Sequence, residues 1–213
     1  QNIFSQTSMK IALAQINTTV GDFEGNRSLI EKTYLQGVAA GVELVVAPEL
    51  AITGYPPRDL LLKSGFIEGN LAALKDLAKA VGEVALAVGH VGLNENQPGR
   101  RATNAVSLLH QGKIVATRTK TLLPTYDVFD EDRYFESATK NTPVECNGWK
   151  LGLTICEDVW NDKAFWKDRR YEGNPVDELL EQGAEMIINI SASPWSLGKE
   201  GMRREMLSSL AAK

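Results

Sequence analysis

The sequence predicts an α/β protein in which helices cover mixed sheets, and three observations carry that prediction. Apolar strand-like runs alternate with amphipathic helical stretches toward both ends of the chain. Two turn signals in the middle, His110-Gln111-Gly112 and Asn147-Gly148, mark antiparallel hairpins, which a purely parallel doubly wound sheet lacks. Several runs are apolar almost throughout, as strands covered on both faces are. The 213 residues and 43% hydrophobic content fit one large domain. No repeat, low-complexity tract or linker divides it.

The elements follow in order. MKIALAQI (9–16) alternates and reads as a strand. Asn26 can cap a helix with Ile30, Tyr34 and Val38 on its apolar face and Gly41 as its stop. VELVVAPEL (42–50) is a buried strand, followed by the long loop AITGYPPRDLLL. Leu71, Leu74, Ala78 and Val81 mark a second amphipathic helix that ends at Gly82. EVALAVGHVGL (83–93) is another buried strand, and QPGRR breaks the pattern after it. Residues 102–120 form the first hairpin and 143–158 the second. A Trp- and charge-rich loop fills 159–173. Asn174, Pro175 and Asp177 then start a helix that Gly183 stops. EMIINIS (185–191) is one more buried strand, and GKEGMRREMLSSLAAK opens a final helix with no stop signal. That missing stop implies that the natural protein continues. The polar opening, Gln1–Ser8, reads as a foreign leader left by a vector, with the native pattern starting at Met9.

Composition narrows the function. A net charge of −4 from 23 basic and 27 acidic residues argues against nucleic acid or an anionic membrane as the main partner. No apolar run approaches the roughly 20 residues that span a bilayer. The two cysteines, Cys146 and Cys156, do not make a secreted disulfide framework, so a cytoplasmic protein with free thiols is expected. Two scattered histidines, His90 and His110, leave little for Ser–His or Cys–His catalysis and do not complete a zinc site. There is no P-loop and no G-x-G-x-x-G after a strand.

What remains lies at strand ends, where sites collect in α/β proteins. Glu49 closes LVVAPE, Lys120 closes IVATRTK and Cys156 closes LGLTIC. Along that last strand, Leu151, Leu153 and Ile155 share one face, and Thr154 and Cys156 the other. Each residue has a plain alternative. Glu49 could cap its loop, Lys120 could be a solvated strand end, and Cys156 a small buried hydrophobe. Together they form a device. An ammonium beside the thiol favours the thiolate against the adjacent Glu157 and Asp158, a buried carboxylate serves as base and then acid, and the ammonium holds an oxyanion.

Three dispersed motifs in order, PELAITGY (48–55), KTLLPTYDVFDEDRYF (120–135) and ICEDVW (155–160), resemble the nitrilase, or carbon–nitrogen hydrolase, superfamily. The resemblance runs from Met9 nearly to Lys213. It implies a four-layer α-β-β-α sandwich, truncated here at its carboxy-terminal end, and a catalytic Glu–Lys–Cys triad at Glu49, Lys120 and Cys156. Glu131 matches a further family glutamate, orienting Lys120 or the substrate; pairing with Arg133 is the alternative. TGYPPRDLLL (53–62), LPTYDVFDEDRYF (123–135), CEDVW (156–160) and SASPWSLGK (191–199) are similar to one branch, the amino-terminal glutaminase domains of glutamine-dependent NAD⁺ synthetases.

That branch implies hydrolysis of L-glutamine to glutamate and ammonia through a Cys thioester. The substrate pocket maps onto Tyr126, Ser193 and Lys199, with the backbone N–H of Glu157 in the oxyanion hole. Lys199 would meet the substrate carboxylate, and its alternative is a solvated residue at a helix start. Cys146 reads as structural. The glutaminase part needs no cofactor or metal. ATP, Mg²⁺ and deamido-NAD⁺ would belong to a carboxy-terminal synthetase domain outside this sequence, and a homo-oligomer is expected by analogy. The competing readings are a free-standing amidase on another small ω-amide and a nitrilase-like scaffold whose site has lapsed.

Overall fold

A computed structural model of the protein describes residues 8–95 and 98–213. The leader read at 1–8 therefore lies, Ser8 apart, outside the described residues, as does Gln97 of the QPGRR break. Five strands form one sheet in the order β1-β2-β3-β4-β5: Ile11–Leu13, Leu44–Val46, Ala85–Leu93, Ala102–His110 and Lys113–Thr119. β1, β2 and β3 run parallel, and β4 and β5 are antiparallel to their neighbours. Three strands form a second sheet in the order β6-β7-β8: Val144–Cys146, Trp149–Ile155 and Met186–Ile190. The β6–β7 pair is antiparallel and β7–β8 parallel, so both sheets are mixed, as the hairpin signals require.

The sheets face each other. Leu44, Val46, Ala85, Ala87, Val106 and Leu108 of the first pack against Val144, Leu151, Leu153, Ile155, Ile188 and Ile190 of the second. Helices α1 (Phe23–Ala39) and α2 (Phe66–Ala80) cover the outer face of the larger sheet through Ile30, Tyr34, Leu74 and Leu77. Helices α3 (Pro175–Glu181) and α4 (Lys199–Ala211) bring Val176 and Met206 against Val159 and Ile187 outside the smaller one. The result is the α-β-β-α sandwich.

Several local expectations change. The first strand and the strand at 42–50 each keep only three ladder residues. Asp22, not Asn26, caps α1, its Oδ1 accepting from the N–H of Gly25 at 2.9 Å. Asn26 is buried inside the helix, and its amide group joins Thr19 and Ile52 of two loops. Val38 is exposed, and Gly37 takes the inward position because a side chain there would strike Val45. α2 ends at Ala80 with Val81 as its cap, short of Gly82. Cys156 does not continue the face of Thr154. Its φ of +44° turns the chain off β7 into a 3₁₀ turn over Cys156–Val159. Both hairpin turns hold, with Gln111-Gly112 and Asn147-Gly148 at positive φ.

One glycine sets the site's depth. The absent side chain of Gly89 in β3 leaves room for the backbone of Pro48, Glu49 and Leu50; an added Cβ would lie 2.4 Å from the Pro48 oxygen and the Leu50 nitrogen. Gly89→Ala therefore pushes the Glu49 loop off the sheet. It should cost about 1–3 kcal/mol of stability, read as a lowered midpoint in thermal or urea unfolding.

Candidate active site

Four segments converge at one end of the sandwich. β2 runs into Ala47, whose N–H still bonds the Ala87 carbonyl at 2.8 Å, and Glu49 follows two residues later. β5 ends at Lys120, held by its own N–H on the Asn104 carbonyl at 2.8 Å. The loop after it folds back so that the N–H of Glu131 reaches the Pro124 carbonyl at 3.0 Å. β7 delivers Cys156 at its elbow.

The Lys120 side chain is wholly buried. Its Nζ donates to Glu49 Oε1 at 2.8 Å and to both oxygens of Glu131 at 2.8 and 2.9 Å. A solvated strand end is thus excluded for Lys120, and so is the Glu131–Arg133 pair. Arg133 lies at the surface, 3.9–4.0 Å from Asp130 and Asp59. Nor does Glu49 act as a plain loop cap. Its Oε1 also accepts from Asn104 Nδ2 at 2.8 Å, and its Oε2 from the N–H of Ala192 at 2.8 Å. All these partners are donors, so both carboxylate oxygens act as acceptors. Asn104 also reaches Glu131 at 3.3 Å, and Tyr55 donates its hydroxyl to Glu131 at 2.9 Å.

The electrostatics follow from burial. Burial by itself lowers the Lys120 ammonium, but Glu49 and Glu131 reverse this and hold it well above the usual lysine range. Burial raises the Glu131 carboxyl, with Lys120 opposing. For Cys156, burial first and Glu49 second push the thiol up to about 12, against the pull of Lys120 and a hydrogen bond from Ser191. This corrects the expectation that Lys120 makes a resting thiolate. The ammonium is shared between two carboxylates and does not outweigh them, so the resting sulfur keeps its proton.

The acids after Cys156 both turn to other partners. Asp158 accepts backbone N–H bonds from Thr121, Leu122 and Ile155. The Glu157 carboxylate accepts from the hydroxyls of Tyr126 at 2.8 Å and Tyr171 at 3.2 Å, while the Arg170 guanidinium stacks 3.9 Å above the Tyr126 ring. Lys199, the first residue of α4, places Nζ 3.2 Å from Ser193 Oγ and 5.4 Å from the Trp160 ring centre. Lys199 is thus paired with Ser193 and not simply solvated. Cys146 is buried between the sheets.

Asn104, Tyr55, Tyr171, Ser191 and the Ala192 amide are contributors that the sequence reading missed. Asn104 carried a signal, a polar amide within the apolar strand ATNAVSLL, which must find buried partners. The Ala192 amide carried none, since any residue supplies a backbone N–H.

Alkylation of Cys156 by iodoacetamide, followed by peptide mass spectrometry, checks its protonation. The rate should still be climbing at about pH 10, because only the thiolate reacts. A plateau near neutral pH would show a preformed thiolate.

The carbon-nitrogen hydrolase family matches residues 10–208. The glutamine-dependent NAD(+) synthetase of Synechocystis sp. is 44% identical over 207 residues, covering 95% of this chain and 37% of that protein. Its counterpart from Thermotoga maritima is 36% identical, covering 94% and 33%. The solved structure of glutamine-dependent NAD+ synthetase from Acinetobacter baumannii superposes with a TM-score of 0.84 at 30% identity, covering 95% of this chain and 36% of that one. An amidase from Nesterenkonia sp. shares the fold, with a TM-score of 0.75 at 23% identity over 95% of this chain and 71% of that one. The chain spans about a third of the length of the curated relatives it matches. With its pattern matched across nearly its whole length, the chain belongs to the carbon–nitrogen hydrolase family.

Proposed function

We propose that this chain is a glutaminase domain that hydrolyses L-glutamine to glutamate and ammonia. The observation that carries the reading is the buried Glu49–Lys120–Glu131 cluster with Cys156 within its field. The relatives' names supply the substrate, and the residues supply a route.

Glu49 takes the thiol proton of Cys156 as the sulfur attacks the carboxamide carbon. Proton loss and attack are concerted, because the free thiolate is costly here. The Lys120 ammonium and the Glu157 N–H receive the developing oxyanion. Lys120 is positioned for this by Glu131, which holds it from the other side. Glu49 returns the proton to the leaving nitrogen, and ammonia departs, leaving a γ-glutamyl thioester. Water, deprotonated by Glu49, then attacks the thioester, and the sulfur leaves with a proton.

The rim residues suit a zwitterionic amino acid. Lys199 offers a cation for the substrate carboxylate, and Ser193 and Glu157 offer acceptors for its ammonium, with Tyr126 and Tyr171 fixing the Glu157 carboxylate. The ammonia would pass to a carboxy-terminal synthetase domain that uses ATP and Mg²⁺ to amidate deamido-NAD⁺. None of those ligands is assigned to residues of this chain.

Ammonia release from L-glutamine tests the reading. Wild-type protein should release it, and Cys156→Ala should lower the rate by several orders of magnitude with the unfolding midpoint little changed, since no other group replaces the nucleophile. Equal release by the two proteins would defeat the assignment.

A further inference from the structure

Asp158 takes no part in the route above, yet it is buried beside the nucleophile. Its Oδ1 accepts from the N–H groups of Thr121 at 3.0 Å and Leu122 at 2.9 Å. Its Oδ2 accepts from the N–H of Ile155 at 3.0 Å. Two of these amides directly follow Lys120 in the chain, and the third directly precedes Cys156. One side chain therefore spans the two segments that carry the ammonium and the sulfur.

The elbow needs such a tie. Cys156 has a φ of +44°, in the left-handed region that is strained for a side-chain-bearing residue. That conformation persists only where the surroundings fix it. The 3₁₀ turn that starts at Cys156 closes on β7 through the Asp158–Ile155 bond, since Asp158 lies three residues beyond Ile155. The second oxygen fastens the same turn to the Lys120 loop, 36–37 residues away in sequence. A carboxylate is suited to this, because it accepts on both oxygens and donates on neither. Burial pushes the Asp158 carboxyl up to about 6, while its three backbone N–H bonds and the Lys120 charge pull the other way, so it is ionised at neutral pH.

We propose that Asp158 is a positioning residue, a clamp that fixes the nucleophile elbow to the ammonium-bearing loop and so sets the distance between Cys156 and Lys120. The rate comparison below rests on the glutaminase reading, whereas the exchange measurement does not. Asp158→Asn separates the two halves of the clamp. Its oxygen can still serve Thr121 and Leu122, but its NH₂ then faces the Ile155 N–H, donor against donor.

Two measurements on the full chain test this. In steady-state glutamine hydrolysis, kcat of Asp158→Asn should fall about 10- to 100-fold, the scale of a misplaced reacting group. KM should change less than kcat, because Tyr126 and Tyr171 hold the Glu157 carboxylate independently of the clamp, and Lys199 and Ser193 lie outside the turn. A kcat within twofold of wild type, or a loss carried by KM alone, overturns the proposal. In hydrogen exchange of the wild-type protein, the amides of Thr121, Leu122 and Ile155 should open together, and in the variant Ile155 should lose protection first. Independent opening of Ile155 in the wild type overturns the clamp even if the variant does not fold. Wild-type protein without glutaminase activity counts against the substrate assignment, and the exchange result then decides the clamp alone.

Discussion

A single ammonium held between two carboxylates, all three removed from water, is the interaction on which the rest of this structure depends. Burying Lys120, Glu49 or Glu131 alone would carry a desolvation penalty of several kcal/mol, so each is tolerable only in the presence of the others. The added donors from Asn104, Tyr55 and Ala192 fill remaining lone pairs on the two carboxylates. The cluster carries two acids for one base. Burial first, and this imbalance second, keep the neighbouring thiol protonated. In the proposed glutaminase route, the Lys120 charge serves the carbonyl oxygen of the substrate.

The sandwich exists to bring these groups together from far apart in the chain. Apolar strands from both sheets fill the middle layer, and loops at one end carry the polar chemistry. Close approach is built in where it matters. The missing side chain of Gly89 admits the Glu49 loop, and the Asp158 carboxylate links the turn of Cys156 to the strand end of Lys120. The acids that follow Cys156 in sequence point into the backbone of the Lys120 loop and into a pair of tyrosines.

Much of this was legible in the sequence because it follows from local rules. Gly112 and Gly148 marked the hairpin turns, and Asn174 with Pro175 marked the start of α3. The residue types and order of Glu49, Lys120 and Cys156 suggested a common site, and their strand-end positions suggested where it lies. Other features were hidden because tertiary contacts decide them. Asp22 and Asn26 both suit a helix cap, and only the loops at Thr19 and Ile52 draw Asn26 inward. The alternation along β7 predicted a face for Cys156, but the chain leaves the strand at that residue. The protonation of the sulfur depended first on its burial and then on the acids that share Lys120, and spacing along the chain shows neither.

A double-mutant cycle on stability tests the central interaction most directly, using urea unfolding of Lys120→Met, Glu131→Gln and the two combined. Because the lone methionine leaves two buried carboxylates without their cation, the combined variant should be more stable than Lys120→Met alone, with a coupling of about 1–3 kcal/mol. Strict additivity of the two substitutions would mean that the ammonium and the carboxylates do not depend on one another, and would contradict the account.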